Sequence, residues 1–198
     1  MELVFATNNK HKLDEIKAAI DKSIRIVSLD EMNIREEIPE TQETIEGNAI
    51  QKARYIFEKY KINCFADDTG LEVEALNGRP GVYSARYAGE NCTFRDNVNK
   101  LLGEMQNKKN RSAKFRTIIA FVNNGEVNTF EGSVDGEITE DAAGNEGFGY
   151  DPVFKPSGFA TTFAQMSQEE KNGISHRGKA VSKFVEYLKT LSESTNQK

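Results

Sequence analysis

The chain has 198 residues, of which 37% are hydrophobic and 29% charged, with a formal net charge of -5. That length and balance fit one soluble globular domain with a sizeable core. The acidic net charge argues against a general nucleic-acid surface, and no apolar run approaches the roughly 20 residues that cross a membrane. Two cysteines (Cys64, Cys92) and two histidines (His11, His176) make neither a disulfide framework nor a thiolate metal site. A reduced, cytoplasmic setting is therefore expected.

In chain order, Leu3–Ala6 reads as a short buried strand with no leader pattern before it. A helix is expected from about Lys10 to Ile20, then a strand over Ile24–Ser28. Asp30 to Glu46 holds seven acidic residues and one basic one, and reads as a loop. It leads to a helix from Thr44 to Tyr60, whose apolar residues Ile45, Ala49, Ala53, Ile56 and Tyr60 recur at helical spacing. Asn63–Ala66 is expected to be a strand that ends at Asp67-Asp68-Thr69-Gly70, with Leu71–Leu76 as a further strand. A loop at Asn77–Gly81 and a helix around Thr93–Leu102 follow. Lys100 to Arg116 holds six basic residues and one acidic one, which suits a solvated helix end, loop and strand start. Asn123-Asn124-Gly125 closes a hairpin between Ala113–Val122 and Glu126–Phe130, and Gly132–Ile138 is extended. Ser167-Gln-Glu-Glu170 is a capping box, and Ser175 is a candidate cap for a last helix carrying Val181, Phe184, Val185 and Leu188. A polar tail is expected over about 193–198. Interleaved strands and helices with a central hairpin make an α/β fold with a mixed sheet.

Five clusters carry chemistry. Thr7-Asn8-Asn9-Lys10-His11-Lys12 joins a strand to a helix, where free N–H groups and the positive dipole end suit phosphate, although the cluster lacks P-loop glycines. Plain helix capping by Asn8 or Asn9 is the competing reading. Glu40 and Lys52 flank the start of the second helix, and each alone reads as a surface charge. Asp67-Asp68-Thr69-Gly70 sets two carboxylates at a strand end, where α/β proteins place ligands and where hard oxygens suit Mg²⁺. If the chain turns there, both carboxylates face one site. Glu146-Gly147-Phe148-Gly149-Tyr150-Asp151-Pro152 lets backbone approach a ligand and offers an aromatic ring to stack. Lys171, His176 and Arg177 gather donors at a helix start. Basic residues there oppose the macrodipole, so stability is not expected to explain Arg177.

Together these pieces resemble the inosine triphosphatase family of nucleotide pyrophosphatases. The resemblance runs from Thr7 to Arg177, and its most specific parts are Ala66–Leu71, Gly78–Arg86, Gly147–Pro152, Glu170-Lys171 and Ser175-His176-Arg177. It implies an elongated mixed sheet flanked by helices, with two lobes and a central cleft, as in the related Maf proteins. It implies Mg²⁺-dependent hydrolysis of ITP, dITP and XTP to the monophosphate and pyrophosphate, by a cytoplasmic homodimer that cleanses the nucleotide pool. By the same resemblance Thr7, Asn8, Asn9, Lys10, His11, Lys12 and Lys52 bind phosphates. Glu40 and Asp68 hold Mg²⁺ with Asp67 close by, and Asp68 is the catalytic base. Thr69, Phe148, Gly149, Tyr150, Asp151, Lys171, His176 and Arg177 contact substrate, with Arg177 donating to the C6 carbonyl of the base. Asn8 departs from the family, in which many members carry glycine. The rivals are a Maf-type pyrophosphatase, disfavoured by His176-Arg177, and a nucleotide sensor without catalysis, disfavoured by intact Glu40, Asp67 and Asp68.

Overall fold

A computed structural model describes residues 2–20 and 23–195. Its strands are β1 (Glu2–Phe5), β2 (Arg25–Ser28), β3 (Cys64–Val73), β4 (Pro80–Gly81), β5 (Ser112–Asn123), β6 (Glu126–Ile138) and β7 (Phe154–Pro156). Its helices are α1 (Lys10–Ala19), α2 (Ile45–Tyr60), α3 (Phe94–Glu104), α4 (Gln168–Ile174) and α5 (His176–Thr195). The sheet is mixed, in the order β2-β1-β3-β5-β6-β7, with β4 beside β3. The α/β expectation holds.

Residues separate into two compact units. The first takes the chain up to Asp68, Thr117–Gly132, and the chain from Arg177 on. Here β1 runs parallel to β2 and to β3, pairing Leu3 with Ile26 and Val4 with Cys64. The connection β1–α1–β2 is a βαβ unit, which buries β1 and accounts for its continuous apolar run. Phe5 stacks on Phe65 with centroids 4.6 Å apart, and Phe184 of α5 packs on Phe65 at 5.1 Å. Ile16, Ile119 and Val181 complete this core.

The second unit takes Thr69–Arg116 and Ser133–His176. Antiparallel pairing joins β4 to β3 and β7 to β6. Phe115, Phe154 and Phe163 form an aromatic centre with Leu71, Leu101 and Ile138 around it. The basic stretch after α3 is absorbed locally. Arg111 donates to the carbonyls of Met105 (3.2 Å), Thr139 (2.7 Å) and Ile138. Lys114 pairs with Asp135 at 3.3 Å, and Arg116 with Glu72 at 3.0 Å.

Caps account for the helix starts. Thr44 accepts from Gly47 N, and Thr93 and Ser167 form capping boxes with Asp96 and Glu170. Several boundaries differ from the sequence reading, two of them beside the candidate site residues; among the others, Glu126–Ile138 is one strand, Glu74–Leu76 is a 3-10 turn and Pro80–Gly81 is extended. β3 does not end at Asp67-Asp68 but runs unbroken through Thr69-Gly70 to Val73. Partners on the sheet override the local turn chemistry of that tetrapeptide. Ser175 ends α4, and α5 begins at His176 and reaches Thr195. Of the expected polar tail, residues 193–195 belong to α5, and residues 196–198 lie outside the described residues.

Candidate active site

At the β1–α1 junction, Asn9 is the N-cap of α1, and its Oδ1 accepts from Lys12 N at 3.1 Å. Thr7 Oγ1 accepts from Asn9 N at 3.1 Å, and Asn8 Nδ2 donates to the Glu36 carbonyl at 3.2 Å. The capping reading of this turn is thus realised. The positive end of α1 and its first N–H groups still point from it. Lys10 and His11 are exposed, while Lys12 turns inward. Glu36 fixes the start of the acidic loop to α2, accepting from Lys59, Tyr60 and Tyr55. Those bonds, Lys59 first, hold its carboxyl down to about 2.

Because β3 continues through both aspartates, their side chains project to opposite sides of the strand. Asp67 is 1% exposed. Its Oδ1 accepts from Lys12 Nζ at 3.0 Å, and its Oδ2 from Arg177 Nε at 3.2 Å and Nη2 at 3.0 Å. Arg177 Nη1 also donates to Glu15 of α1. Burial alone would raise the Asp67 carboxyl, but Lys12, Arg177 and Lys52 outweigh it and hold the group well below the carboxylate range. Burial pulls the Lys12 ammonium down, with Asp67 opposing. Two cations and two carboxylates make this group neutral.

Asp68 belongs to a different group. Its Oδ1 accepts from Lys52 Nζ at 3.1 Å, and its Oδ2 from Asn48 Nδ2 at 3.4 Å. The same Lys52 ammonium donates to Glu40 Oε1 at 2.6 Å. Burial would lower Lys52, but Asp68 and Glu40 outweigh it and raise it. Glu40 is lowered in turn, since Lys52 overcomes the effect of burial. One cation against two carboxylates leaves a charge of -1. The Glu40 side chain is 37% exposed, so the group has an open edge.

Among the described residues, no cluster of three or more His, Cys, Asp or Glu is arranged to hold a metal ion. Glu40 and Asp68 nevertheless converge on a cation, the Lys52 ammonium. Two hard carboxylates with residual negative charge fit Mg²⁺, which takes one or two protein carboxylates and leaves its other positions to phosphate and water.

In the second unit, Asp151 is the centre. Its Oδ2 accepts from Phe148 N at 2.8 Å and from Lys171 Nζ at 2.6 Å. Gly147 has φ +72, and a Cβ there would meet Asp151 Oδ2 at 2.1 Å, so only glycine admits this carboxylate. The Lys171 ammonium lies 5.4 Å from the centre of the Phe148 ring, and Phe94 packs on the same ring at 5.7 Å. Tyr150 donates to the Ser84 carbonyl at 2.9 Å. His176 is buried with its ring stacked 4.5 Å from Phe115. Thr69 is half-buried on β3.

The expectation that stability leaves Arg177 unexplained is corrected. Asp67 and Glu15, both buried, neutralise it, and three of its five N–H groups are committed to them. The expectation that the two aspartates turn to face one site is corrected by the continuity of β3. Sequence reasoning missed Glu15 and Asn48. Their signal is spacing: Glu15 precedes the buried Ile16, and Asn48 stands one turn before Lys52.

The sequence model of the Ham1 family matches residues 3–187. The chain belongs to the Ham1 family. A relative from Flavobacterium johnsoniae named dITP/XTP pyrophosphatase is 56% identical over 95% of this chain and 98% of its own. A Porphyromonas gingivalis relative of the same name is 50% identical over 94% and 97%. The structure of the Staphylococcus aureus Ham1 protein matches with a TM-score of 0.87 at 39% identity, covering 96% of this chain and 99% of that one. The Coxiella burnetii HAM1 protein matches at 0.88 and 36% identity, with the same coverage. The resemblance drawn from the motifs is therefore a family membership along nearly the whole chain.

Proposed function

We propose that this Ham1-family chain hydrolyses ITP, dITP and XTP to the nucleoside monophosphate and pyrophosphate, and so removes deaminated purines from the nucleotide pool. The observation that carries this reading is the Glu40–Lys52–Asp68 group, with its open edge and net charge of -1. The names of the curated relatives support it. When bound there, Mg²⁺ neutralises phosphate charge and acidifies a water. Glu40 and Asp68 would hold it, and an Asp68 carboxylate oxygen would take the proton of the attacking water.

The Thr7–Lys12 turn and Lys52 would bind the phosphates, through N–H groups and ammonium charge. The resemblance sets Asp67 beside the metal. Its oxygens hold Lys12 and Arg177, so we give it the placing of those two cations instead. The resemblance gives the C6 carbonyl to Arg177. We assign that carbonyl to Lys171, a pure donor already steered over the Phe148 ring by Asp151. An adenine amino group at C6 would meet donor against donor, which can cost up to roughly 10⁴-fold. Thr69, Phe148, Gly149, Tyr150 and His176 would shape the nucleoside site. A cytoplasmic homodimer belongs to the same reading, and sedimentation of the purified chain checks the dimer.

The deciding experiment is pyrophosphate release with Mg²⁺ from ITP, dITP and XTP against ATP, GTP and dUTP. Release from the first three, and not from ATP or dUTP, is expected. Equal rates on ATP, or no release from any purine triphosphate, would sink the proposal.

A further inference from the structure

We infer that Asn48 is a positioning residue that ties the reacting carboxylate of Asp68 to the loop carrying Glu40. The inference rests on the function proposed above. Asn48 is a polar side chain only 1% exposed, inside the second turn of α2. An asparagine gains nothing in a helix interior by propensity, and burying its amide costs free energy unless both ends are bonded. Both are. Its Oδ1 accepts from Gln42 N at 2.9 Å, and its Nδ2 donates to Asp68 Oδ2 at 3.4 Å.

The orientation of the amide follows from chemistry. A backbone N–H can only donate, so the oxygen must face Gln42 and the NH₂ must face the carboxylate. Asn48 and Lys52 are four residues apart, hence on one face of α2. Each holds one oxygen of Asp68, Lys52 taking Oδ1 and Asn48 taking Oδ2. Donors on both oxygens restrain rotation of the carboxylate about its last bond, which would orient the lone pair that meets the water.

A second set of contacts fixes the other end. Thr41 N donates to Gln51 Oε1 at 2.9 Å, and Gln51 Nε2 donates back to Thr41 Oγ1 at 2.8 Å. Gly47 lets the loop lie flat on the helix: a Cβ there would stand 2.9 Å from Gln42 Cβ and from Thr44 Oγ1. Residues 41–44 are thus stapled to the first two turns of α2, and Glu40 leaves that staple toward Lys52. Asn48 thus bonds both the staple, at Gln42 N, and Asp68, at Oδ2. It would keep the two metal-binding carboxylates at a fixed separation before any ligand arrives.

The test uses two variants of the full chain. Asn48→Leu removes both bonds at similar volume. Asn48→Asp still accepts from Gln42 N but cannot donate to Asp68 when ionised. For Asn48→Leu, kcat on ITP should fall about 10- to 100-fold per folded molecule, as for other residues supporting a metal site. KM should change little, and amide exchange at Gln42 should accelerate. For Asn48→Asp, kcat should fall at least as far while Gln42 stays protected. Wild-type kcat in the ionised Asn48→Asp protein would overturn the inference. So would an activity loss no larger than the loss of folded protein, or unchanged Gln42 exchange in Asn48→Leu. A wild-type protein that releases no pyrophosphate would fail the function instead, and the exchange measurement would still judge the bridge.

Discussion

Asp67 and Asp68 are adjacent on one strand, yet they belong to regions built on different electrostatic plans. Asp67 is itself shut off from solvent, in a neutral set of four charges with Lys12 and Glu15 of α1 and Arg177 of α5, of which Lys12 alone is half-buried. Asp68 sits in a set of three, short by one positive charge and open at Glu40. The period of two along a strand separates them, and helices on the two sides supply different partners. The closed set is suited to holding the fold and its cations in place. The open one is suited to receiving a cation. Adjacent like charges that look costly in the sequence cost little once each meets its own counter-charge.

The largest expected effect tests the open region. Asp68→Asn should lower kcat by about 10³-fold, within the usual range for loss of an acid–base group. Its thermal unfolding should remain near that of the wild type. Near-normal turnover would return Asp68 to a structural role. Next comes the closed region: Arg177→Ala removes the cation that Asp67 and Glu15 share while both carboxylates stay buried, which should cost about 3–5 kcal/mol in denaturant unfolding. A small stability loss with a large, substrate-selective loss of rate would instead restore Arg177 as a reader of the base.

The third expectation concerns pH. Asp67 and Glu36 are both depressed in the folded state, so the stability they contribute is complete above their ordinary values. It is lost as pH falls below those values, for Glu36 between 4.5 and about 2. Acid unfolding of Asp67→Asn should be flatter across this range, and an unchanged slope would remove Asp67 from the account. The smallest expected effect is that of Thr44→Ala, which removes the α2 cap beneath the open region and should cost about 1 kcal/mol. A chemical-denaturation midpoint shifted by that amount, with Arg177 and Asp67 untouched, would separate the two regions once more.

Much of this was legible because it is local. Thr44, Thr93 and Ser167 announce their helices through capping chemistry, and Asn123-Asn124-Gly125 announces its hairpin. Lys52 alone read as a surface charge, yet it is buried on the α2 face that carries Ala49 and Ile56. What escaped is long-range. The turn residues of Asp-Asp-Thr-Gly suggested a strand end, and only pairing on both sides of β3 keeps it extended. Arg177 looked unexplained because its counter-ions, Asp67 and Glu15, lie 110 and 162 residues away in sequence. The capping reading of the Thr7–Lys12 turn was legible as well: Asn9 caps α1, and the helix dipole points from the same place.

The chain passes between its two units four times, at Asp68–Thr69, Arg116–Thr117, Gly132–Ser133 and His176–Arg177. Three of those passages lie inside single strands, β3, β5 and β6. Neither unit is therefore a module in the genetic sense. No single recombination event could exchange one for a relative's version, and no terminal deletion could release either intact. The two units are therefore inherited together.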